Sequence, residues 1–377
     1  MLTGGNCATT GATGVVAETP DSRVILTWSG TAGVPFRLSN LTAQQTAALT
    51  QGDATPVNDN RLKYLRGDRS NEVTTAGVGN YRARTSVLGD IIDSSPLWVG
   101  PPAQPYADSW QDRLYPSVTM PENSAAYSAF VTANQTRQNV VYVGANDGLL
   151  HGFRAGAYDS ANNFVNSSAY PNDGNEVLAY MPGATLQTIH NSTATSDYPN
   201  TQYAHAFSVD GSPSSGELFY GGTWHAWLVG GLGSGGNAVY ALDVTNPANF
   251  SDANAATLVK GESTRGSISC ANVTGCGTSM GLTYDSPQIR RFHNGKWGFV
   301  YGNGLGSASG KAGIYVVTID PSNAAQTTYF LDTGRGSAGT PDGIAFTTPA
   351  ETHRRRPRGS GARLPTSCAA SSPSSGH

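Results

Sequence analysis

The sequence predicts a mainly β protein: a partial β-propeller of about three blades, with a small α/β lead-in and a disordered C-terminal tail. Three observations carry that prediction. Glycine is abundant, at 46 of 377 residues, while charged residues make up only 13%, against roughly 25% in average soluble proteins. Apolar residues alternate at period two in short runs bounded by glycine, as half-buried strands require. Those runs recur in the same order three times.

The lead-in, residues 1–85, comes first. Residues 21–29, "DSRVILTWS", read as a strand. "SNLTAQQTAALTQG", 39–52, offers Ser39 or Asn40 as an N-cap, then a run of helix formers, then Gly52 as a stop. A second helical stretch, 58–68, places Leu62 and Leu65 on one side. This texture differs from the later pattern.

From residue 86 to 346 the chain reads as propeller. "SSPLWVG" at 94–100 is echoed by "DGSPSSGELFYGG" at 210–222 and "DSPQIRRF" at 285–292. Second members are "NVVYVG" 139–144, "HAWLVGG" 225–231 and "KWGFVYGNG" 296–304; third members are "LLHGF" 149–153, "NAVYALDV" 237–244 and "AGIYVVTID" 312–320. Each unit is a short antiparallel meander that cannot bury both faces alone, so neighbouring units must stack around an axis. Glycines 144, 230 and 302 mark the repeat, and their uneven spacing implies long decorated loops such as 155–205; a β-sandwich with insertions is the competing architecture. Propellers close with roughly four to eight blades. Three blades leave an open edge on each side, so further β sequence is expected.

Residues 347–377 read instead as an Arg/Pro/Ser-rich tail. Arg354, Arg355, Arg356, Arg358 and Arg363 stand there with Glu351 as the sole acid, while residues 1–349 carry −7 of a total net charge of −3. Such a segment is either a disordered basic tail or the product of a reading-frame shift near Ala350, since GC-rich DNA read out of frame gives this mixture. The overall charge gives no reason to expect nucleic acid or an anionic membrane as a partner. The start, "MLTGGNCATTGATGVV", has no basic region followed by an apolar run, and no window is apolar enough to span a membrane. Read literally the chain has no signal peptide; an exported protein would have its true N-terminus upstream.

Several motifs invite functional readings. The turn Asn146-Asp147-Gly148 inside "VYVGANDGLLHGF" is an active-site loop, a metal loop or a hairpin corner, and its echoes in the other units favour the corner. "GLGSGG", 231–236, fits a dinucleotide fingerprint but is followed by a strand where that site needs a helix. "RGD" at Arg66, Gly67 and Asp68 is either an adhesive motif or a helix end. "YPNDGNEV", 170–177, gathers Asn172, Asp173, Asn175 and Glu176, too few oxygens for a full calcium loop. Cys270 and Cys276 enclose a short loop that a disulfide would pin in an oxidising compartment, free buried thiols being the other reading; Cys7 and Cys368 are read as unpaired. His151, His190, His205, His225 and His293 are dispersed, with His151 and His225 read as packed between blades, so no catalytic, cofactor or metal residue is assigned.

Taken in order, "VPFRLSNLTAQQTAALT", "YLRGDRSNE", "YRARTSVLGDIIDSSPLWVG", "VYVGANDGLLHGFRAG" and "WGFVYGNGLG" resemble the C-terminal β-propeller region of the PilC/PilY family of type IV pilus biogenesis and tip-adhesin proteins, here as a truncated or frame-shifted fragment. The resemblance implies a non-enzymatic protein at the cell surface, pilus tip or outer membrane. Its implied work is pilus assembly, opposing retraction, twitching motility and adhesion, and its implied partners are pilus subunits or minor pilins and a host-cell or abiotic surface. The family also implies calcium, bound by an acidic Asp-x-Asp-x-Asp loop after the third unit; here the arginine tail stands at that position, so no calcium ligand carries over. The competing functions are a quinoprotein-type propeller enzyme and an outer-membrane assembly propeller.

Overall fold

Period-two alternation becomes three antiparallel meanders stacked side by side. The structure, a computed structural model, describes residues 19–53, 58–293 and 295–348; most of the tail, the suggested frame shift near Ala350, Cys7 and Cys368 lie outside the described residues. Strand β1 (Ile25–Trp28) turns back into β2 (Gly33–Pro35), and helices α1 (Ala43–Leu49) and α2 (Asn60–Leu65) follow. The cap of α1 is Thr42, not Ser39 or Asn40. Residues Leu38–Asn40 wind into a separate 3-10 turn, and Thr42 and Gln45 then exchange the reciprocal bonds of a capping box. Leu62 and Leu65 are both buried.

The first sheet takes β3 (Leu97–Val99), β4 (Val140–Gly144), β5 (Leu150–Arg154) and β8 (Glu176–Met181), with helix α3 (Tyr127–Asn134) between β3 and β4 and a small hairpin, β6 (Ala157–Tyr158) with β7 (Phe164–Val165), between β5 and β8. Its order is β2-β1-β8-β5-β4-β3. The lead-in therefore does not stand apart: β1 pairs in parallel with β8 and covers an edge that would otherwise present unpaired backbone groups. Ile25 joins Phe36, Leu49, Leu62, Leu65, Ala179 and Met181 in one buried cluster, so the two helices seal the outer face of the first sheet.

After the short helix α4 (Gly183–Leu186), β9 (Ser214–Tyr220), β10 (Thr223–Gly231), β11 (Ala238–Asp243), helix α5 (Ala255–Leu258) and β12 (Val259–Thr264) give the second sheet, ordered β12-β11-β10-β9. The third is β13 (Gln288–Arg291), β14 (Trp297–Gly302), β15 (Ala312–Ile319) and β16 (Gln326–Arg335), in sequential order. Each of the three-run units found in the sequence gains a fourth strand after a loop. Alternation sorts the second sheet's side chains: Ala226, Leu228, Tyr240 and Leu242 pack toward the first sheet with Val140, Tyr142 and Leu150. Trp227, Val229, Val239 and Ala241 pack toward the third with Phe299, Tyr301, Tyr315 and Val317. This is the stacking of β-propeller blades, and the fold is mainly β.

The blades join through backbone. A Cβ added at Gly144, Gly231 or Gly302 would collide with the carbonyl oxygen of Val209, Thr283 or Ile344 respectively, the first two on the segments entering the next unit and Ile344 on the segment that follows β16. The repeat marker in the second unit is thus Gly231, one residue beyond the glycine suggested by spacing. Beside these sockets the Asp-Ser-Pro echoes form a belt. The Ser94 hydroxyl donates to the Gly211 carbonyl at 3.1 Å, Ser212 to Asp93 at 3.3 Å and Ser286 to Ser212 at 2.9 Å. The Asp285 carboxylate accepts from Gly302 N–H and the Thr347 hydroxyl, each at 2.7 Å.

Candidate functional site

The loop end of the first blade is where the sequence leaves chemistry open, and it holds a buried chain of charges. The turn is tight: Ala145 N–H donates to the Leu149 carbonyl at 2.9 Å, and Gly148 has φ +94°, a conformation that favours glycine. Asn146 and Asp147 are buried, not presented. The Asp147 carboxylate accepts from Gly89 N–H at 3.0 Å and Leu149 N–H at 3.2 Å, and it lies 3.1 Å from His151 Nε2. His151 Nδ1 is 2.6 Å from Glu176, whose two oxygens also take Arg23 Nε at 2.6 Å and a second guanidinium nitrogen at 2.9 Å. Asp147, His151, Glu176 and Arg23 thus alternate in sign through the interior, from the turn, through β5 and β8, to the lead-in.

These geometries set the protonation states. Burial favours the neutral His151 ring, yet the carboxylates of Asp147 and Glu176 outweigh it and push its pKa up to about 9. Burial likewise opposes ionisation of Glu176, but Arg23 and His151 prevail and hold it down at about 2. A histidine that is charged, fully buried and bonded at both nitrogens has no lone pair to accept a proton, so this cluster is a structural tie, not a general base. His151 packs between the first sheet and the lead-in, not between blades.

The other histidines among the described residues do not converge. His190 meets Asp197 at 2.9 Å, His205 meets Asp90 at 2.8 Å, His225 meets Asp243 at 3.3 Å and His293 meets Asp112 at 3.0 Å, each with its own acid. His225 also stacks on Tyr220 with ring centroids 3.9 Å apart. Among the described residues no group of three or more His, Cys, Asp or Glu is arranged to hold a metal. The 170–177 turn does not fit calcium: Asp173 is clamped by Arg154, and Glu176 is turned inward. "GLGSGG" is a short 3-10 turn between β10 and β11.

The "RGD" motif is closed to a receptor. Arg66 ends α2 at 1% exposure, and its guanidinium donates to the carbonyls of Phe36 at 3.0 Å, Arg23 at 2.7 Å and Pro20 at 3.1 Å. It fastens the lead-in to itself. Asp68→Glu is accordingly expected to leave cell binding unchanged in an adhesion assay; loss of binding would show that the motif is read.

Cys270 and Cys276 are joined by a disulfide, with Cα atoms 6.1 Å apart. The Tyr315 hydroxyl donates to the Cys276 carbonyl at 2.7 Å, tying this loop to β15. For so short a loop, Cys270→Ser with Cys276→Ser is expected to cost about 2 kcal/mol. Thermal denaturation with and without reductant checks it: reductant should lower the parent's midpoint and leave the variant's unchanged.

Sequence reasoning missed a second feature, the 101–134 insertion between β3 and β4. It delivers Tyr106, Trp110 and Tyr127 onto Trp224 and Trp297 of the second and third blades, with ring centroids 4.9 to 6.1 Å apart. Glu122, fully buried, accepts from Arg291 at 2.6 Å and from the Trp297 indole at 2.8 Å. Tyrosine and tryptophan recurring between 106 and 127 were the available signal, and the lack of alternation hid it.

Comparison with known proteins places this arrangement. Residues 88–353, which contain all three meanders, match the family described as the PilY1 beta-propeller domain. The chain belongs to the PilY1 β-propeller family. Over 330 residues, 86% of its length, the PilY1-family chain is 35% identical to the type IV pilus biogenesis factor PilY1 of Pseudomonas aeruginosa strain PAK. A PilY1 homolog of Xylella fastidiosa is 31% identical over 280 residues. The chain spans about a quarter of the length of the P. aeruginosa relative, 24%. The crystal structure of the P. aeruginosa PilY1 C-terminal domain aligns at 31% identity over 66% of this chain and 39% of that one, with a TM-score of 0.41. Among the described residues of the PilY1-family chain, no helix is long and apolar enough to cross a membrane.

Proposed function

We propose that this chain is the propeller portion of a non-enzymatic type IV pilus biogenesis factor, acting in pilus assembly, in opposing retraction and in surface attachment. The observation that carries this reading is the match running unbroken through all three blades, 88–353, to a family whose relatives are named type IV pilus biogenesis factors. The chemistry is consistent with it. Each of the five histidines among the described residues lies against at least one carboxylate, and the best-formed cluster is a fully buried tie.

On this reading residues 1–85 are a lead-in that seals the first blade, 86–346 are propeller and 347–377 are tail. The partners are pilus subunits or minor pilins together with a host-cell or abiotic surface. The place of action is the cell surface, pilus tip or outer membrane. Calcium is assigned to no residue here.

Deleting the encoding gene is expected to reduce surface pili and abolish twitching, with restoration by the intact gene. Normal pilus number and motility in the deletion strain would overturn the proposal. Absorption spectroscopy of the purified protein separates the enzyme alternative, because a bound quinone would point to a dehydrogenase.

A further inference from the structure

Where the connection from α4 to β9 meets the turn between β10 and β11, it leaves a cavity of about 180 Å³. The two segments come together at Gly235, where a Cβ would collide with the Ser208 carbonyl oxygen. Thr188, Ile189, Tyr198, Tyr203, Phe207 and Ser208 supply most of the wall, and among the described residues no charged side chain lines it. The volume lies below the roughly 300–1,000 Å³ of pockets for drug-sized ligands, which leaves room for one small ring and not for a nucleotide.

Most polar groups on this wall are already used by the loop itself. The Asn191 side chain donates to the carbonyls of Thr188 at 3.1 Å and Ser196 at 3.3 Å, and it accepts from Thr193 N–H at 2.9 Å and the Ser196 hydroxyl at 3.1 Å. The Thr188 hydroxyl donates to the Thr185 carbonyl at 3.2 Å, and the Tyr203 hydroxyl accepts from Ala206 N–H at 2.9 Å. Two hydroxyls are left over. Tyr198 is 4% exposed and Ser208 7%, yet among the described residues neither side-chain oxygen has a hydrogen-bond partner. Ser208 is held by its backbone N–H, which donates to the Asn146 side chain at 2.9 Å, and Tyr198 by ring contacts with Tyr64 and Tyr203. Burial pushes the Tyr198 phenol up, so it is a donor at neutral pH. Buried polar groups are ordinarily satisfied, and two unused hydroxyls on one cavity wall mark a place for the hydroxyls of a ligand.

The apolar side of the cavity is aromatic. Phe207 lines it while remaining 41% exposed, and so stands at its mouth. The Phe207 ring meets His205 edge to face with centroids 4.9 Å apart, and Arg82 sits over the Tyr203 ring, 4.6 Å from its centroid. Both rings are thus positioned before a ligand arrives, which lowers the cost of binding. We infer that this cavity binds one neutral, terminal pyranose residue of a saccharide. The negative ring faces attract the polarised C–H bonds on the apolar side of a sugar, while its hydroxyls meet Tyr198 and Ser208; the rest of the chain leaves past Phe207. An ion would find no counter-charge on the wall, and an aliphatic chain would leave both hydroxyls unpaired. The inference does not rest on the pilus role: it is read on purified protein, the pilus role in cells.

The test is saturation-transfer NMR on the purified full chain with the methyl glycosides of glucose, galactose, mannose and N-acetylglucosamine, titrated singly. At least one is expected to bind. Tyr198→Phe and Ser208→Ala should each weaken that binding about fivefold, the worth of one neutral hydrogen bond, and Phe207→Ser about fivefold through the lost ring face; Phe207→Tyr should keep it. The thermal midpoints of the two hydroxyl variants should not move, because the fold makes no use of either group. Xylitol, an open-chain polyol, should not compete. Absence of transfer to all four glycosides, which would leave the cavity to water alone, overturns the inference. So does binding that is unchanged in both hydroxyl variants, or that xylitol displaces as well as the glycoside itself.

Discussion

Glu176→Ala is expected to destabilise the protein by about 3–5 kcal/mol, because it leaves Arg23 and His151 as buried charges without their shared partner. Against a typical domain stability of roughly 5–15 kcal/mol, that is a large loss, visible as a drop in the urea midpoint. The effect should also have a pH signature. The pKa of His151 rises from 6.5 to about 9 on folding, so its contribution is complete below pH 6.5 and disappears as pH rises through about 9. That of Glu176 falls from 4.5 to about 2, so its contribution is present above pH 4.5 and disappears as pH falls through about 2. Stability measured from pH 3 to pH 10 should therefore decline on both limbs, and Glu176→Ala should remove the Glu176 share of the acid limb and reduce, without abolishing, the alkaline limb, because Asp147 still faces His151. Absence of an alkaline decline in the parent would show that His151 is not charged in the folded state.

Trp224→Ala should cost a similar amount, about 3–5 kcal/mol, for a different reason. Trp224 is buried, touches Tyr106, Trp110, Tyr127, Phe219 and Trp297, and donates from its indole to the Ala125 carbonyl at 2.9 Å. Removing it opens a cavity where the insertion meets two blades. Faster proteolysis within 101–134 than in the parent is the specific readout, since a general loss of stability would expose all loops alike. Trp224→Phe, which keeps a ring but loses the indole N–H, should fall between the two.

Short-range pattern made the first three strands of each blade legible. "VVYVG", "LVGG" and "FVYG" alternate, end in glycine and become β4, β10 and β14. The two lead-in helices were legible by composition, although the structure shortens them and caps the first with Thr42. The fourth strands were not: β8, β12 and β16 follow loops of unequal length, and β12, "VKGEST", carries little apolar pattern. The parallel pairing of β1 with β8 was invisible for another reason. It joins residues more than 150 positions apart, and nothing local to either strand specifies the partner.

The same limit hid the charged interior. Nothing in the sequence pairs Arg23 with Glu176, which folding brings within 2.6 Å of each other. Glu176 even stood in a segment resembling a calcium turn. Glu262 behaves likewise: it crosses from the second blade to the first, accepting from the Tyr180 hydroxyl at 2.7 Å and from the N–H groups of Gly183 and Ala184 at 2.8 Å. The disulfide loop, by contrast, lay within seven residues and could be named from spacing.

The glycine sockets at 144 and 231, each where one blade leads into the next, bear on how the molecule responds to a pull. At these points main chain rests on main chain, with no side chain between that could change rotamer and yield. Tension entering one blade would pass to the next through stiff peptide groups. Extension under load would then concentrate in the long surface loops, leaving the angle between neighbouring blades nearly constant.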